Sequence, residues 1–427
     1  MKTRTLAHVV TALLGTTIMI PAVTAQSSDE PIMAVYDRAR PDYDAPGVRS
    51  GSFLFKPSVT GEGKFDSNIY ASDGNEVDDF IAIIKPSLKI DSDWNNNSFS
   101  LFADAAIAKY ADNGSEDYED INVGANGRID ITRGTNITTD LTYSDGHEDR
   151  GSADNIGSAA APTNFSLLKA AVGFKRDEGL VSFALNGDYS KQDFDNAALI
   201  GGGTLRNDDR DREIVNGSAR LGYHVNDEYE AFVKFTGTKV TYTNKPDAGD
   251  ARRDSDGYDI VGGTAFKLTG TAEGEVFVGY VKRDYDSANF GDISDFKFGA
   301  SLLWTPTGLT SARIAVNRDV IETTLSSANS AGVVVSASGI LSTLYSLDLQ
   351  HELQRNLLLN AKGSYTKMDF TNTLRTDDLI NVGLGVKYLM NRNFSVNATY
   401  TFDKRDTTDA NQDYNRHSFI LGLSAGW

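Results

Sequence analysis

Residues 181–190, Val181-Ser182-Phe183-Ala184-Leu185-Asn186-Gly187-Asp188-Tyr189-Ser190, divide into two faces. Val181, Phe183, Leu185, Gly187 and Tyr189 fall on one; Ser182, Ala184, Asn186, Asp188 and Ser190 fall on the other. A period of two in an extended chain puts one face against an apolar medium and the other against water or polar groups. The same division recurs in Phe394, Val396, Ala398, Tyr400 and Phe402 against Ser395, Asn397, Thr399 and Thr401. Val215, Gly217, Ala219, Leu221 and Tyr223 against Asn216, Ser218, Arg220 and Gly222 repeat it again. Runs of roughly 10–14 such residues suit strands that cross a bilayer at a tilt.

Counting outward from these runs gives about 18 strands, the size of a large bacterial pore. Short links such as Asn95-Asn96, Arg133-Gly134 and Asn391-Arg392 alternate with longer ones such as 147–163 and 193–209. Short turns at one end and long loops at the other are the layout of an up-and-down antiparallel outer-membrane β-barrel, and an even strand count leaves both termini on the periplasmic side. The fold class is therefore all-β, a transmembrane barrel. The final strand alternates Phe419, Leu421, Leu423 and Trp427 with Ile420, Gly422 and Ser424. A last strand ending in an aromatic residue looks like the assembly signal that the barrel-assembly machinery reads.

The front of the chain has a different character. Lys2 and Arg4 precede an apolar stretch from Leu6 to Ile20, and Val23 and Ala25 stand where a signal peptidase needs small residues. Residues 1–25 read as a cleaved secretory signal peptide. Residues 26–50, with Pro31, Pro41 and Pro46, read as an extended periplasmic N-terminal extension, and residues 51–427 as the barrel. No later stretch is long and apolar enough for a spanning helix, so any span is made of strands.

Composition narrows the function. The 427 residues include 41 Lys and Arg, 59 Asp and Glu, and no cysteine. A net charge of -18 excludes a basic protein that coats nucleic acid, and the absence of cysteine excludes disulfide scaffolds and thiolate metal sites. His147, His224, His351 and His417 are the only histidines beyond the signal peptide. No nucleophile elbow, phosphate-binding loop or H-E-x-x-H helix accompanies them. The sequence predicts no enzyme, no cofactor and no metal. Asp112-Asn113-Gly114-Ser115-Glu116-Asp117 lacks the spacing of a calcium loop and reads as a solvated loop.

Several short segments carry a family resemblance. They include Asp37-Arg38-Ala39-Arg40-Pro41, Gly51-Ser52-Phe53, Asp66-Ser67-Asn68-Ile69-Tyr70 and Pro86-Ser87-Leu88. Glu148-Asp149-Arg150, Asp208-Asp209-Arg210-Asp211-Arg212, Arg253-Asp254-Ser255-Asp256-Gly257-Tyr258 and Gly279-Tyr280-Val281-Lys282-Arg283-Asp284-Tyr285 complete the series. In this order they resemble the outer-membrane β-barrel porins found with exopolysaccharide biosynthesis genes. The resemblance implies a Gram-negative outer-membrane barrel that serves polysaccharide export, working with periplasmic export components.

If the apolar faces meet lipid, the opposite faces line a pore. Away from the strand ends, the lining positives are Lys56, Lys85, Lys89, Arg128, Lys169, Arg220, Lys234, Arg283, Lys297, Arg313, Lys362 and Lys387. The lining negatives are Glu62, Asp104, Asp140, Asp188, Asp259, Asp295, Asp319 and Asp348. That excess of twelve over eight, in an acidic chain, predicts a conduit for an anionic solute such as an acidic exopolysaccharide. The opposing expectation is a set of structural ion pairs without selectivity. A general diffusion porin, with 147–163 or 193–209 folded inward as a constriction, and a structural or adhesive barrel are the alternatives. Asp149-Arg150, Asp209-Arg210, Arg253-Asp254, Arg283-Asp284, Arg318-Asp319 and Arg405-Asp406 gather at the loop end. They are expected to form a rim ladder of ion pairs, with contact to lipopolysaccharide and outer-membrane lipids as the functional alternative.

Overall fold

The computed structural model describes residues 32–155, 159–243, 252–268, 270–328, 332–410 and 412–427. The signal peptide expected at 1–25 lies outside these. Eighteen long strands make the wall: β1 Phe53–Asp66, β2 Asp79–Ser92, β3 Ser98–Tyr110, β4 Tyr118–Thr132, β5 Thr135–His147 and β6 Asn164–Glu178. They continue as β7 Val181–Phe194, β8 Arg212–His224, β9 Tyr229–Tyr242, β10 Ser255–Leu268, β11 Ala272–Tyr285 and β12 Ile293–Thr307. β13 Thr310–Ile321, β14 Ile340–Gln354, β15 Leu357–Phe370, β16 Thr376–Leu389, β17 Phe394–Thr407 and β18 Tyr414–Gly426 complete it. Each strand runs antiparallel to its neighbours in sequence, and β1 closes the barrel on β18 through the register Gly61–Leu423. A short strand, Val48–Ser50, is appended to the base of β1.

The alternation in the sequence becomes the wall's two surfaces. Phe80, Ile84 and Leu88 on β2, Phe183 and Leu185 on β7, and Phe419, Leu421 and Leu423 on β18 are exposed on the outside. A water-soluble monomer would not display a continuous apolar band of this kind; a bilayer requires one. Tyr223, Tyr229, Trp304, Tyr388 and Phe394 stand on it near the turn end, and Phe80, Tyr143, Tyr280 and Phe296 near the loop end. These are the two aromatic girdles expected where amphipathic rings meet lipid headgroups. Tight turns close the lower end. Gly134, at φ 77°, makes the β4–β5 turn, where an added Cβ would lie 2.3 Å from the carbonyl oxygen of Asp177.

Among the described residues no apolar core fills the middle of the barrel. Its buried apolar clusters sit at the two ends: Ala337, Ile340, Met368 and Phe370 under the long loops, and Val35, Leu358 and Leu389 at the turn end. One strand departs from the expected pattern. The alternating run that begins at residue 310, which the sequence reading carries to residue 325, stops at Ile321, because Glu322 and Thr323 are drawn into a buried polar layer under the loops.

Candidate functional site: the lumen and its two mouths

All twelve sequence-assigned positive residues lie on the inward face of their strands, opposite the exposed apolar positions. Eight of them are engaged by carboxylates. Lys56 and Lys89 meet Asp91, Lys85 meets Glu62, Arg128 meets Asp130, and Lys297 bridges Asp259 and Asp319. Arg220 reaches Glu230 at 3.1 Å and Glu275 at 3.3 Å, and its guanidinium lies 4.0 Å from the Phe232 ring centre. Gly222 makes room for this group, since a Cβ there would fall 1.7 Å from Glu230 Oε1. Arg283 meets Glu322 at 3.0 Å, and Arg313 meets Asp37. Lys169, Lys234, Lys362 and Lys387 have no carboxylate within ion-pair distance among the described residues.

The positive excess read from the sequence does not extend to the whole wall. Asp91, Asp130, Glu230 and Glu275 also face inward, but they stand close to strand ends, which the sequence count left out. Of the eight expected negatives, Glu62, Asp259, Asp295 and Asp319 are ion-paired. Asp104, Asp140, Asp188 and Asp348 accept hydrogen bonds from Ser87, Asn126, Asn216 and Gln350 instead. Between these charges the wall is amide and hydroxyl: Asn122 with Ser144, Asn216 with Thr238, Ser364 with Asn381, and Thr60 with Ser424.

The turn-end mouth holds a surprise for the expected N-terminal extension. Residues 32–47 do not hang below the barrel but fold against its inner wall. Val35 forms part of a short 3-10 turn, is fully buried, and packs on Leu358 and Leu389. Its N–H donates to Ser311 Oγ at 2.9 Å, and the N–H of Tyr36 donates to Gln350 Oε1 at 3.0 Å. Arg40 pairs with Glu352 at 2.9 Å. Burial pushes the Tyr36 hydroxyl up to about 12, so it stays a neutral phenol. The Asp37–Pro41 segment, which looked like a family signature, is thus a clasp on β13, β14 and β15.

The loop-end mouth is crossed by the link between β5 and β6. Glu148 takes a two-pronged contact from Arg210, with Nη2 at 2.6 Å, and Arg150 makes a similar one to Glu116 at 2.6 Å. All four side chains are nearly fully buried. Further along, Arg405 donates to the carbonyl of Ser152 at 3.1 Å and Arg375 to that of Ala153 at 3.4 Å. Asp154 accepts from Thr323 Oγ1 at 2.6 Å. Thr323 follows β13, eight strands round an eighteen-strand wall from β5, so the segment reaches almost the opposite side. Of the two links expected to fold inward, 147–163 therefore makes the crossing. The other lies beside it through Arg210 and the bridge from Ala159 to Leu199.

The rim residues pair differently from the ladder expected. Adjacent residues on a strand face opposite sides, so Arg283 points in to Glu322 while Asp284 points out to Lys282. Arg405 and Asp406 divide in the same way. Asp112–Asp117 is not a solvated loop, for Glu116 is 1% exposed under Arg150. Glu116, Glu148 and Glu322 were missed because they lie in links, where no periodicity shows which way a side chain points. His147 bonds Asp120 at 2.8 Å and stacks on Tyr118; His417 bonds Tyr400 at 2.9 Å. Neither pair includes a serine or threonine nucleophile. Gly422-Leu423-Ser424-Ala425-Gly426 does match G-x-S-x-G, but Ser424 lies within flat strand β18, bonded to Thr60 at 2.9 Å, and not on a strand-to-helix turn.

The mouth-crossing segment has a defined acid response. Burial would raise the Asp149 carboxyl, but Arg416 at 3.2 Å and the Gly151 N–H hold it below its ordinary 3.8. A carboxylate lowered in the folded state contributes above 3.8 and is lost only as the pH falls through its lower folded value. Burial pushes Asp209 the other way, so it takes up its proton earlier, and that step favours the folded arrangement. Acidification from neutrality to pH 3.8 is thus expected to leave single-channel conductance flat, with any rise confined to lower pH. A step upward between pH 7 and 5 would show that a group other than Asp149 also holds the crossing.

The sequence profile of the family described as "Putative beta-barrel porin 2" matches residues 40–426. No curated protein matches the chain. Among solved structures, a mutant of the ferric enterobactin receptor PfeA of Pseudomonas aeruginosa is similar at 9% identity and TM-score 0.47, covering 87% of this chain and 80% of that one. OpdO of Pseudomonas aeruginosa is similar at 13% identity and TM-score 0.43, covering 88% and 98%. The outer membrane protein opdK of the same organism is similar at 12% identity and TM-score 0.43, covering 87% and 99%.

Proposed function

The chain belongs to the "Putative beta-barrel porin 2" family, an outer-membrane β-barrel of the porin type, and from that premise we propose that it conducts hydroxyl-rich solutes, an exopolysaccharide leaving the cell foremost among them. The observation that carries the proposal is the make-up of the lumen wall. Most of its charges neutralise one another, and Asn, Ser and Thr fill the intervals. Such a wall offers sugar hydroxyls donors and acceptors without holding a strong point charge against them. Lys169, Lys234, Lys362 and Lys387 are the places where the acid groups of an anionic polysaccharide would pause. In this reading the wall guides the chain passively, and energy comes from periplasmic export partners.

The segment crossing the loop-end mouth favours a second reading, a diffusion porin for small polar solutes whose size limit that segment sets. Planar bilayers separate the two. With the barrel reconstituted, an acidic oligosaccharide added on the turn-end side is expected to produce resolved, voltage-dependent interruptions of the ion current. A neutral oligosaccharide of equal length should give shorter ones. If chains of every length leave the current untouched while small sugars permeate, the diffusion porin is the correct reading.

A further inference from the structure

The ladder between β12 and β13 stops halfway up the wall. It rises from the turn end to the rung Gly299–Asn317 and goes no further, although Ile293–Phe298 and Arg318–Ile321 are still strand. Above that rung each strand stays paired to its other neighbour, β12 to β11 as far as Ile293–Arg283 and β13 to β14 as far as Ile321–Ile340. Among the described residues no other neighbouring pair in the wall loses so long a run of rungs while both remain strand. The two edges of this seam are capped from within. The register would set Phe296 opposite Val320, but their N–H groups donate to the carboxylates of Asp295 at 2.6 Å and Asp319 at 2.9 Å. Backbone at membrane depth has to find such partners inside the protein. Side chains also pass through the gap. Asp295 alternates with the exposed Phe296 and so faces inward on β12; Arg318 shares the outward face of β13 with the exposed Ile314. A continuous ladder would keep the two on opposite sides of the wall, yet they pair at 3.1 Å. Arg318 Nη1 donates to Thr343 Oγ1 at 3.0 Å, and its buried Nε–H has no acceptor among the described residues.

The seam joins the polar lumen to the outer half of the bilayer. On its lumen side Lys297 spans Asp259 and Asp319. On its lipid side Phe296, 70% exposed, belongs to the loop-end girdle. Just below, Ala300, Leu302, Ile314, Val316, Tyr345 and Tyr365 line an apolar hollow of about 670 Å³. Directly above, the mouth-crossing segment lands on the top of β13, where Asp154 accepts from Thr323. A solute that rises through the lumen therefore meets a crossing overhead and an interrupted wall beside it. A wholly polar solute leaving sideways would enter hydrocarbon, whereas a molecule with a polar head and an alkyl tail is favoured on both sides of the seam. We propose that the β12–β13 seam is a lateral portal through which an amphiphile with a hydroxyl-rich head and an alkyl tail passes from the lumen into the outer leaflet. The head exchanges with the Arg318–Asp295 pair and takes the free Nε–H of Arg318; the tail enters the hollow. The portal rests on the lumen being open from the turn end to the seam, as the channel reading above has it.

The test uses the full-length barrel in liposomes and a fluorescently tagged dodecyl maltoside, added outside below its micelle-forming concentration. Albumin, too large for the pore, back-extracts whatever stays in the outer monolayer of the vesicle. Barrels inserted with the turn end outward are expected to deliver the maltoside to the inner monolayer, beyond albumin, several-fold faster than it crosses protein-free vesicles. The chain has no cysteine, so Phe296→Cys with Val320→Cys supplies a unique staple across the seam. Closing it by oxidation, or by a short bismaleimide where the strands stand beyond disulfide reach, should abolish the acceleration and leave chloride conductance unchanged. The unstapled double variant should keep the acceleration, and its unheated gel mobility reports that it is folded. Equal transfer by stapled and unstapled barrels overturns the proposal. So does an unaltered barrel that conducts chloride but transfers the maltoside no faster than protein-free vesicles, a comparison that needs no variant and leaves the channel reading standing. A barrel that conducts nothing overturns the portal and the channel together.

Discussion

Arg150→Ala is expected to raise single-channel conductance several-fold at neutral pH. Arg150 and Glu116 are 6% and 2% exposed, and their two-pronged contact ties the mouth-crossing segment to the β3–β4 link. Removing one partner leaves the other charge buried and unanswered, which costs about 3–5 kcal/mol. The nearest relief is for Glu116 to reach water, and it can do so only if the segment above it lifts. At about 1.4 kcal/mol per tenfold, that cost is large enough to invert a closed population. Glu148→Ala added to Arg150→Ala removes the second clamp, to Arg210, and should open the mouth further. A paired replacement, Arg150→Met with Glu116→Leu, makes the control. It removes both charges, fills the space with apolar volume, and should keep the mouth closed, because buried ion pairs exchange for well-packed apolar groups at little or no cost. Conductance in planar bilayers reads all three variants. If the double clamp variant conducts like the unaltered barrel, the segment does not limit the pore.

What could be read from the sequence alone follows from where periodicity exists. A transmembrane strand must show one face to lipid, so Val181–Tyr189 and Phe394–Phe402 declared their fold, their number and their facing. The lumen assignment of Lys85, Lys234 and Lys362 followed from the same rule. Links obey no such rule. Residues 26–50 looked extended because Pro31, Pro41 and Pro46 interrupt them, and nothing marked Val35 as the anchor it becomes on Leu358 and Leu389. Glu116, Glu148 and Asp37 were likewise invisible as partners, because each finds its arginine on another link or on the wall, dozens to hundreds of residues away in sequence. The charge balance was misread for a related reason. Strand ends, where Asp91 and Glu230 sit, are the positions at which register is least secure from sequence, and they are also where the neutralising acids were placed.

The wall's near-balance of charge leads to the second large effect, a reversal of ion selectivity. Of the twelve lining cations read from the sequence, Lys169, Lys234, Lys362 and Lys387 have no ion-pair partner among the described residues, so their fields are the least cancelled of that set. Lys234 and Lys362 stand at the same height, five residues above the turn-end starts of β9 and β15. Lys387 lies lower, close to Arg40 and Asp44 of the N-terminal clasp. In a channel walled by low-dielectric strands, such charges act over about a Debye length, roughly 10 Å at 0.1 M salt, and so reach well into the lumen. Changing all four to glutamate alters the pore's fixed charge by eight units without breaking any ion pair in the described wall. The reversal potential in a tenfold salt gradient is therefore expected to move from near zero or weakly anionic to strongly cationic, with the barrel's unheated gel mobility unchanged. The comparison variant is Lys56→Glu with Lys89→Glu, which attacks the pair already held by Asp91 and should lower stability more than it moves selectivity. An unmoved reversal potential in the fourfold variant would mean that ions do not pass these lysines, and would leave Asp104, Asp140 and Asp188 on β3, β5 and β7 as the side of the lumen that they follow.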